Sequence, residues 1–150
     1  TEEGAAHVRV KNLTMAFEDR VLMRDLDFEI RRGDIFFIIG GSGCGKTTLL
    51  RHLIGLHEPA RGEVWYGDVN FTAASDEERE RLQRRSGILF QKGALWSSMT
   101  LAENVGFPLE RFTPLAPAEI DEATALKLAL VGLAGFEDYL PSEISGGMQK

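Results

Sequence analysis

Ile35-Phe36-Phe37-Ile38-Ile39-Gly40-Gly41-Ser42-Gly43-Cys44-Gly45-Lys46-Thr47-Thr48-Leu49-Leu50 is the stretch on which the reading of the chain turns. Its first five residues are β-branched or aromatic with no polar interruption, the pattern of a strand buried on both faces. From Gly40 it matches glycine, four residues, then glycine-lysine-threonine. Glycines reach backbone conformations closed to other residues and let successive N–H groups turn inward on a phosphate. Leu49, Leu50, Leu53 and Leu56 follow at helical spacing, so the loop leads into a helix whose positive N-terminal end favours the same anion. Lys46 would place a point charge on β- and γ-phosphates, and the Thr47 hydroxyl suits Mg²⁺. Strand, glycine loop and helix together predict an α/β fold with a nucleotide site; a glycine-rich turn with a surface lysine is the alternative. Cys44 reads as a small side chain at a variable loop position rather than a redox switch.

Outward from this loop, composition narrows the classes. The chain has 150 residues, 17 basic and 23 acidic, for a net charge of −6. With 43% apolar and 27% charged residues, disorder and coiled coil are excluded. The acidic balance argues against a protein that coats nucleic acid, so no nucleic-acid partner is expected. Ile35–Ile39 is far shorter than the roughly 20 residues that cross a bilayer. The single cysteine excludes an internal disulfide and a multi-thiolate zinc site. Thr1–His7 lacks a basic-then-apolar leader, which makes a cytoplasmic location the default expectation.

Before the loop, Val8, Val10, Leu13, Met15 and Phe17 predict one strand, and Leu22, Leu26, Phe28 and Ile30 a second. After it, Val64-Trp65-Tyr66 and Val69-Asn70-Phe71 predict short strands around the turn pair Gly67-Asp68. Asp76–Arg85 is almost wholly charged and predicts an exposed helix. Ile88-Leu89-Phe90 predicts another buried strand, ending at Gln91. Beyond Gln91 the texture turns helical, with Ile120, Ala123, Leu126, Leu130 and Leu133 as one stripe behind Pro117. Ser145-Gly146-Gly147 predicts a helix start and a second anion site, a weak signal on its own because turns use the same residues. His52 and His57 are expected to be exposed.

Two glycine clusters in this order, with Gln91 at a strand end between them, resemble the ATP-binding cassette (ABC) ATPases over essentially the whole chain. The resemblance implies a P-loop NTPase fold of ABC type: an antiparallel β subdomain, a RecA-like core and the start of a helical subdomain. It divides the chain into 1–90, the β subdomain and phosphate-loop part of the core, and 91–150, the helical subdomain up to the signature. It implies that Phe17 stacks on adenine and that Gly40, Gly41, Ser42, Gly43, Cys44, Gly45, Lys46, Thr47 and Thr48 hold the phosphates. Gln91 would meet Mg²⁺ and the attacking water, making Lys46 and Gln91 the catalytic residues present and Thr47 and Gln91 the Mg²⁺ ligands. Ile144-Ser145-Gly146-Gly147-Met148 is similar to the family's Leu-Ser-Gly-Gly-Gln signature, so Ser145, Gly146 and Gly147 would contact the ATP of a head-to-tail partner copy.

The stretches Leu89–Trp96, Asn104-Val105, Pro108-Leu109 and Pro141–Met148 are similar to one ABC branch, the ATPases of bacterial phospholipid transport. That implies a phospholipid-transport motor coupling ATP binding and hydrolysis to transport. It would partner an integral membrane permease at the inner face of the bacterial plasma membrane. Leu95, Trp96 and Met99 are then expected to form a partner-facing patch, or else to pack inside the helical subdomain. Amino-acid or lipoprotein-export ATPases, and soluble ABC ATPases acting on nucleic acid, are the alternatives. A GTPase is disfavoured, because no Asn-Lys-x-Asp motif follows the loop. The family's apolar strand ending in Asp-Glu, and its later switch histidine, have no match here. The resemblance therefore predicts that the remainder of the domain is absent and that these 150 residues alone hydrolyse ATP negligibly.

Overall fold

Strand β1, Ala6–Phe17, buries Val8 and Val10 but then Leu13 and Met15, a switch from even to odd positions that no regular strand permits. The computed structural model, which describes residues 5–17, 20–91 and 93–150 and of Phe17 only the backbone, shows how the switch is made. Asn12 takes a left-handed conformation at φ 47°, and the register of β1 shifts between Val10 and Leu13. The antiparallel partner β2, Arg20–Arg31, answers with Asp25 at φ 50° and a matching shift, so Met23 precedes Leu26, Phe28 and Ile30 on the core face. Paired bulges bend the hairpin while keeping one face apolar. This displaces Leu22, expected inside, to the exposed face. Asp27 Oδ1 accepts from Asn12 N at 3.0 Å and ties the bulge across the hairpin.

β3, Arg61–Tyr66, lies on the other side of β1, and the two-residue β4, Val69–Asn70, completes an antiparallel sheet of order β2-β1-β3-β4. Gly67-Asp68 turns between them as predicted, although Phe71 leaves the strand and packs in the core. Gly62 meets the β1 bulge head on. At φ 88°, a Cβ there would lie 2.6 Å from Leu13 Cα and closer still to the Asn12 carbonyl, so only glycine fits. Helix α1, Lys46–Leu53, covers the sheet with Leu49 and Leu53. Helix α2, Asp76–Gln83, buries no residue and is capped by Ser75, whose Oγ accepts from Glu78 N at 3.3 Å.

Ile35–Ile39 is the main departure from expectation. It belongs to no strand, because no strand among the described residues offers it a ladder. Period-two alternation survives: Ile38 joins the core and Phe36 stacks on Phe28 with centroids 5.2 Å apart. Ile35, Phe37 and Ile39 stand 82%, 75% and 90% exposed and Phe36 44%, so only Ile38 is partly covered where burial on both faces was expected. Ile88-Leu89-Phe90 is likewise no strand, and all three residues are exposed.

The chain divides into two compact units, up to Gly87 and from Ile88 onward. In the second, α3 (Leu101–Phe112) packs on α4 (Pro117–Leu130), which begins at Pro117 as predicted. Gly106 allows the close approach, since a Cβ would sit 3.3 Å from Thr124 Oγ1 and 3.4 Å from Ile120 Cγ2. The expected stripe on α4 is corrected. Ile120, Thr124 and Leu128 face inward at intervals of four, whereas Leu126 and Leu130 are exposed, because the packing against α3 covers only a narrow face of α4. Leu133 does reach the second core, with Leu101, Leu128 and Ile144. No described helix is long and apolar enough to cross a membrane.

Gly62→Ala should lower stability by at least about 2 kcal/mol, read from the denaturant midpoint, because it adds both a clash and a strained φ.

Candidate functional site

The phosphate loop takes its place from α1. Leu49 and Leu53 hold the helix against the sheet, so its first turn is fixed and the preceding glycines must close the distance from Ile39. Gly43 at φ 77° and Gly45 at φ 96° use conformations that side chains resist. Gly45 is also the N-cap and carries no side chain to cap the helix, and the first turn contains no acidic residue. The first regular helical bond is Leu49 N to Gly45 O at 2.8 Å. The amides of Lys46, Thr47 and Thr48 therefore have no acceptor within the helix and, with the helix dipole, make a site for an anion.

Lys46 completes it. Its ammonium donates to Gly40 O and Gly41 O, both at 2.7 Å, and lies 3.6 Å from Cys44 Sγ. The side chain is thus folded over the loop, its charge held by carbonyl dipoles that a phosphate oxygen can replace. Cys44 is exposed, and its Sγ would lie 2.6 Å from a Cβ at Gly40, which makes Gly40 a close-approach glycine. Thr47 is exposed in the first turn of α1 and Thr48 is half-buried. A hydroxyl beside free amides, in a helix turn that holds no acidic residue, fits an Mg²⁺ that arrives on a phosphate and keeps waters and phosphate oxygens as its other ligands. No group of three or more His, Cys, Asp or Glu side chains among the described residues is placed to hold a metal by itself.

One turn on, His52 corrects the expectation of exposure: it is 3% exposed, and its Nδ1 donates to Thr48 O at 2.7 Å. It sits on the inner flank of α1, with the exposed His57 ring 5.7 Å away. The C-terminal end of α1 is held by Tyr66, whose hydroxyl donates to Leu53 O at 2.7 Å; burial pushes this phenol up from its ordinary pKa. Leu50 and Leu56, expected on the apolar stripe, are exposed, because the helix ends at Leu53 and the buried set is Leu49, His52 and Leu53. Nothing in the leucine spacing signals that a histidine takes the inner position.

Gly40–Thr48 is therefore one continuous site in the first unit. Phe17 ends β1, and the adenine contact expected of its side chain lies outside the described residues. Gln91 belongs to the second unit, where it is exposed in a turn rather than at a strand end. Ser145, Gly146 and Gly147 are exposed in that unit too. They form a turn rather than a helix: Gln149 N donates to Ser145 O at 3.1 Å and Met148 N to Ser145 Oγ at 3.3 Å, one helical bond and an N-cap. The expected patch is mixed, with Trp96 61% exposed and Leu95 and Met99 half-buried.

The ABC transporter family matches residues 23–150 of this chain. Over 143 residues the chain is 38% identical to the intermembrane phospholipid transport system ATP-binding protein MlaF of Haemophilus influenzae, covering 95% of this chain and 54% of that protein. It is 39% identical over 143 residues to the probable ribonucleotide transport ATP-binding protein mkl of Mycobacterium leprae, covering 95% and 41%. Among solved structures, the dimeric ATP-binding cassette MJ0796 bound to ADP and Pi is similar with a TM-score of 0.83 at 27% identity, covering 95% of this chain and 65% of that one. The chain spans about half the length of the curated relatives it matches.

Lys46→Ala should weaken ATP binding by about 100-fold in calorimetry, from the loss of two charge-assisted hydrogen bonds of about 1.5 kcal/mol each.

Proposed function

Because the chain belongs to the ABC transporter family and has the fold of its ATP-binding cassettes, we propose that the full-length protein is the ATP-hydrolysing motor subunit of a membrane transporter. The observation that supports this reading is the phosphate loop, where an uncapped helix N-terminus, two left-handed glycines and a Lys46 ammonium bonded to Gly40 O and Gly41 O all fall within Gly40–Lys46. Residues 1–90 then serve as the β subdomain and phosphate-loop part of the core, and 91–150 as the helical subdomain that ends in the signature.

In this reading Lys46 leaves the carbonyls of Gly40 and Gly41 and meets β- and γ-phosphate oxygens, while the amides of Gly43–Thr48 cradle the β-phosphate. Thr47 and Gln91 would hold Mg²⁺, which when bound neutralises charge on the phosphates. Gln91 orients water by its amide and is no base, since an amide takes no proton at neutral pH. Phe17 offers a ring to adenine. The exposed Ser145 hydroxyl and the Gly146 and Gly147 amides face the γ-phosphate held by a partner copy, so ATP binding draws two copies together head to tail. A membrane permease subunit is the second partner and keeps the protein at the cytoplasmic face.

Phospholipid is the cargo we infer. Support comes from MlaF, a phospholipid-transport ATP-binding protein by name, and from the resemblance of Leu89–Trp96, Asn104-Val105, Pro108-Leu109 and Pro141–Met148 to that branch. The mkl relative, named for ribonucleotide transport, is equally similar and supports a second reading in which the cargo is ribonucleotide.

The full-length protein, co-expressed with a membrane permease subunit from the same source, should co-purify with it and show ATPase activity that Lys46→Ala abolishes. Phospholipid, rather than nucleotide, should move between labelled vesicles in an ATP-dependent manner. ATP-dependent ribonucleotide uptake without lipid movement would reverse the cargo assignment.

A further inference from the structure

Beside the phosphate loop, within the first unit, lies a cavity of about 380 Å³, in the size range of small-ligand pockets. Ala16, Arg20 and Leu22 line it from the end of the β1–β2 hairpin. Thr48, Arg51 and His52 line it from one face of α1, and His57 and Glu58 from the turn beyond that helix. Thr48 belongs to both places, since its amide is one of the free donors at the start of α1. A ligand whose phosphates sit on the loop can therefore run on into the cavity. His52 stands one helical turn, about 5.4 Å, further along.

His52 is the distinctive member of this wall. It is 3% exposed, in an inner position that an apolar side chain would fill as well. Its Nδ1 donates to Thr48 O at 2.7 Å. A carbonyl oxygen only accepts, so Nδ1 carries the proton and, in the neutral ring, Nε2 is a bare acceptor. No group among the described residues bonds Nε2. Its neighbours on the wall differ in kind: Arg20 and Arg51 only donate, Glu58 is engaged by Arg79, and the His57 ring, 5.7 Å away, is exposed. His52, His57 and Glu58 do not form a metal site, because no group of three or more His, Cys, Asp or Glu among the described residues is placed to hold an ion.

We propose that this cavity takes the nucleoside of the bound nucleotide and that His52 is a specificity-determining residue there. Its Nε2 accepts from a hydrogen-bond donor on the nucleoside, the 6-amino group of adenine or a ribose hydroxyl. The proposal rests on the ATP-binding reading above and adds to it a means of choice. A stacked aromatic ring holds any base, since every base has a π-face. A nearly buried acceptor in one fixed tautomer discriminates, because a nucleoside without the matching donor leaves it unpaired. The ring is already oriented by Thr48 O, so little freedom is lost when the donor arrives.

Calorimetry on the full-length protein tests this with ATP and three analogues: 2′-deoxy-ATP, 3′-deoxy-ATP, and purine riboside triphosphate, which has hydrogen in place of the 6-amino group. The wild type should bind ATP about five- to ten-fold more tightly than one of these, the worth of one hydrogen bond, and that analogue identifies the donor. His52→Phe, which keeps a ring, should weaken ATP by the same factor and leave that analogue unchanged, so the preference disappears. His52→Leu, which fills the position without a nitrogen, should behave alike. Equal wild-type affinity for all four would overturn the proposal, whether or not either variant folds. A preference that survives both substitutions, or an equal loss for all four ligands, would overturn it too. A wild type that binds none of the four would overturn the ATP reading itself, and this inference with it.

Discussion

The seating of Leu49 and Leu53 against Val10, Leu13 and Met15 is the contact on which the nucleotide site depends. Each buried leucine contributes about 1.5–3 kcal/mol, enough together to hold an eight-residue helix that would not persist alone. That face of β1 is continuous only because the bulge at Asn12 changes which positions point inward, and the bulge is tolerated only because Gly62 leaves room for it. A glycine on β3, outside the phosphate loop, thus helps to set where the loop can lie. Tyr66, on the same strand, fixes the other end of α1 through Leu53 O.

With α1 fixed, the loop's electrostatics follow. A helix N-terminus with no side-chain cap and no acidic residue in its first turn leaves its positive end uncompensated. Lys46 adds a full charge beside it and is held only by loop carbonyls. Such an arrangement costs stability in the absence of an anion and recovers it when one binds, the usual trade at a binding site. The second unit shows the opposite economy: α3 is doubly capped and the turn before it is filled by Asn104, so its exposed groups, Trp96 and the Ser145–Gly147 turn, sit on firm supports.

What could be read in advance divides along a physical line. The phosphate loop, the four antiparallel strands, α2 and the start of α4 were legible because each is specified by local chemistry: glycine spacing, turn pairs, charge runs and Pro117. The parity switch in β1 was visible as spacing but not explained, since a bulge depends on its partners, Asp25 and Gly62, which are far away in sequence. The strands expected at Ile35–Ile39 and Ile88–Phe90 failed for a related reason. An apolar run states that it would be buried, but a ladder also needs neighbours, and none pairs with either run among the described residues. On α1 and α4 the error was one of face: leucines were assumed inside, whereas His52 and Thr124 take inner positions and Leu50, Leu126 and Leu130 face out.

Met148 shows how structure can settle the meaning of a departure from a motif. The signature it resembles ordinarily ends in glutamine, and a thioether lacks that amide. Here the Met148 side chain packs against the cluster of Leu101, Leu128, Leu133 and Ile144, while its N–H goes to Ser145 Oγ. The side chain at this position therefore serves the core of the second unit, where a flexible, unbranched apolar group is well suited. The polar groups of the segment, the Ser145 hydroxyl and the amides of Gly146 and Gly147, are all on exposed residues and are untouched by the methionine. A substitution that looks chemical in a one-line motif is, in the folded chain, a matter of packing.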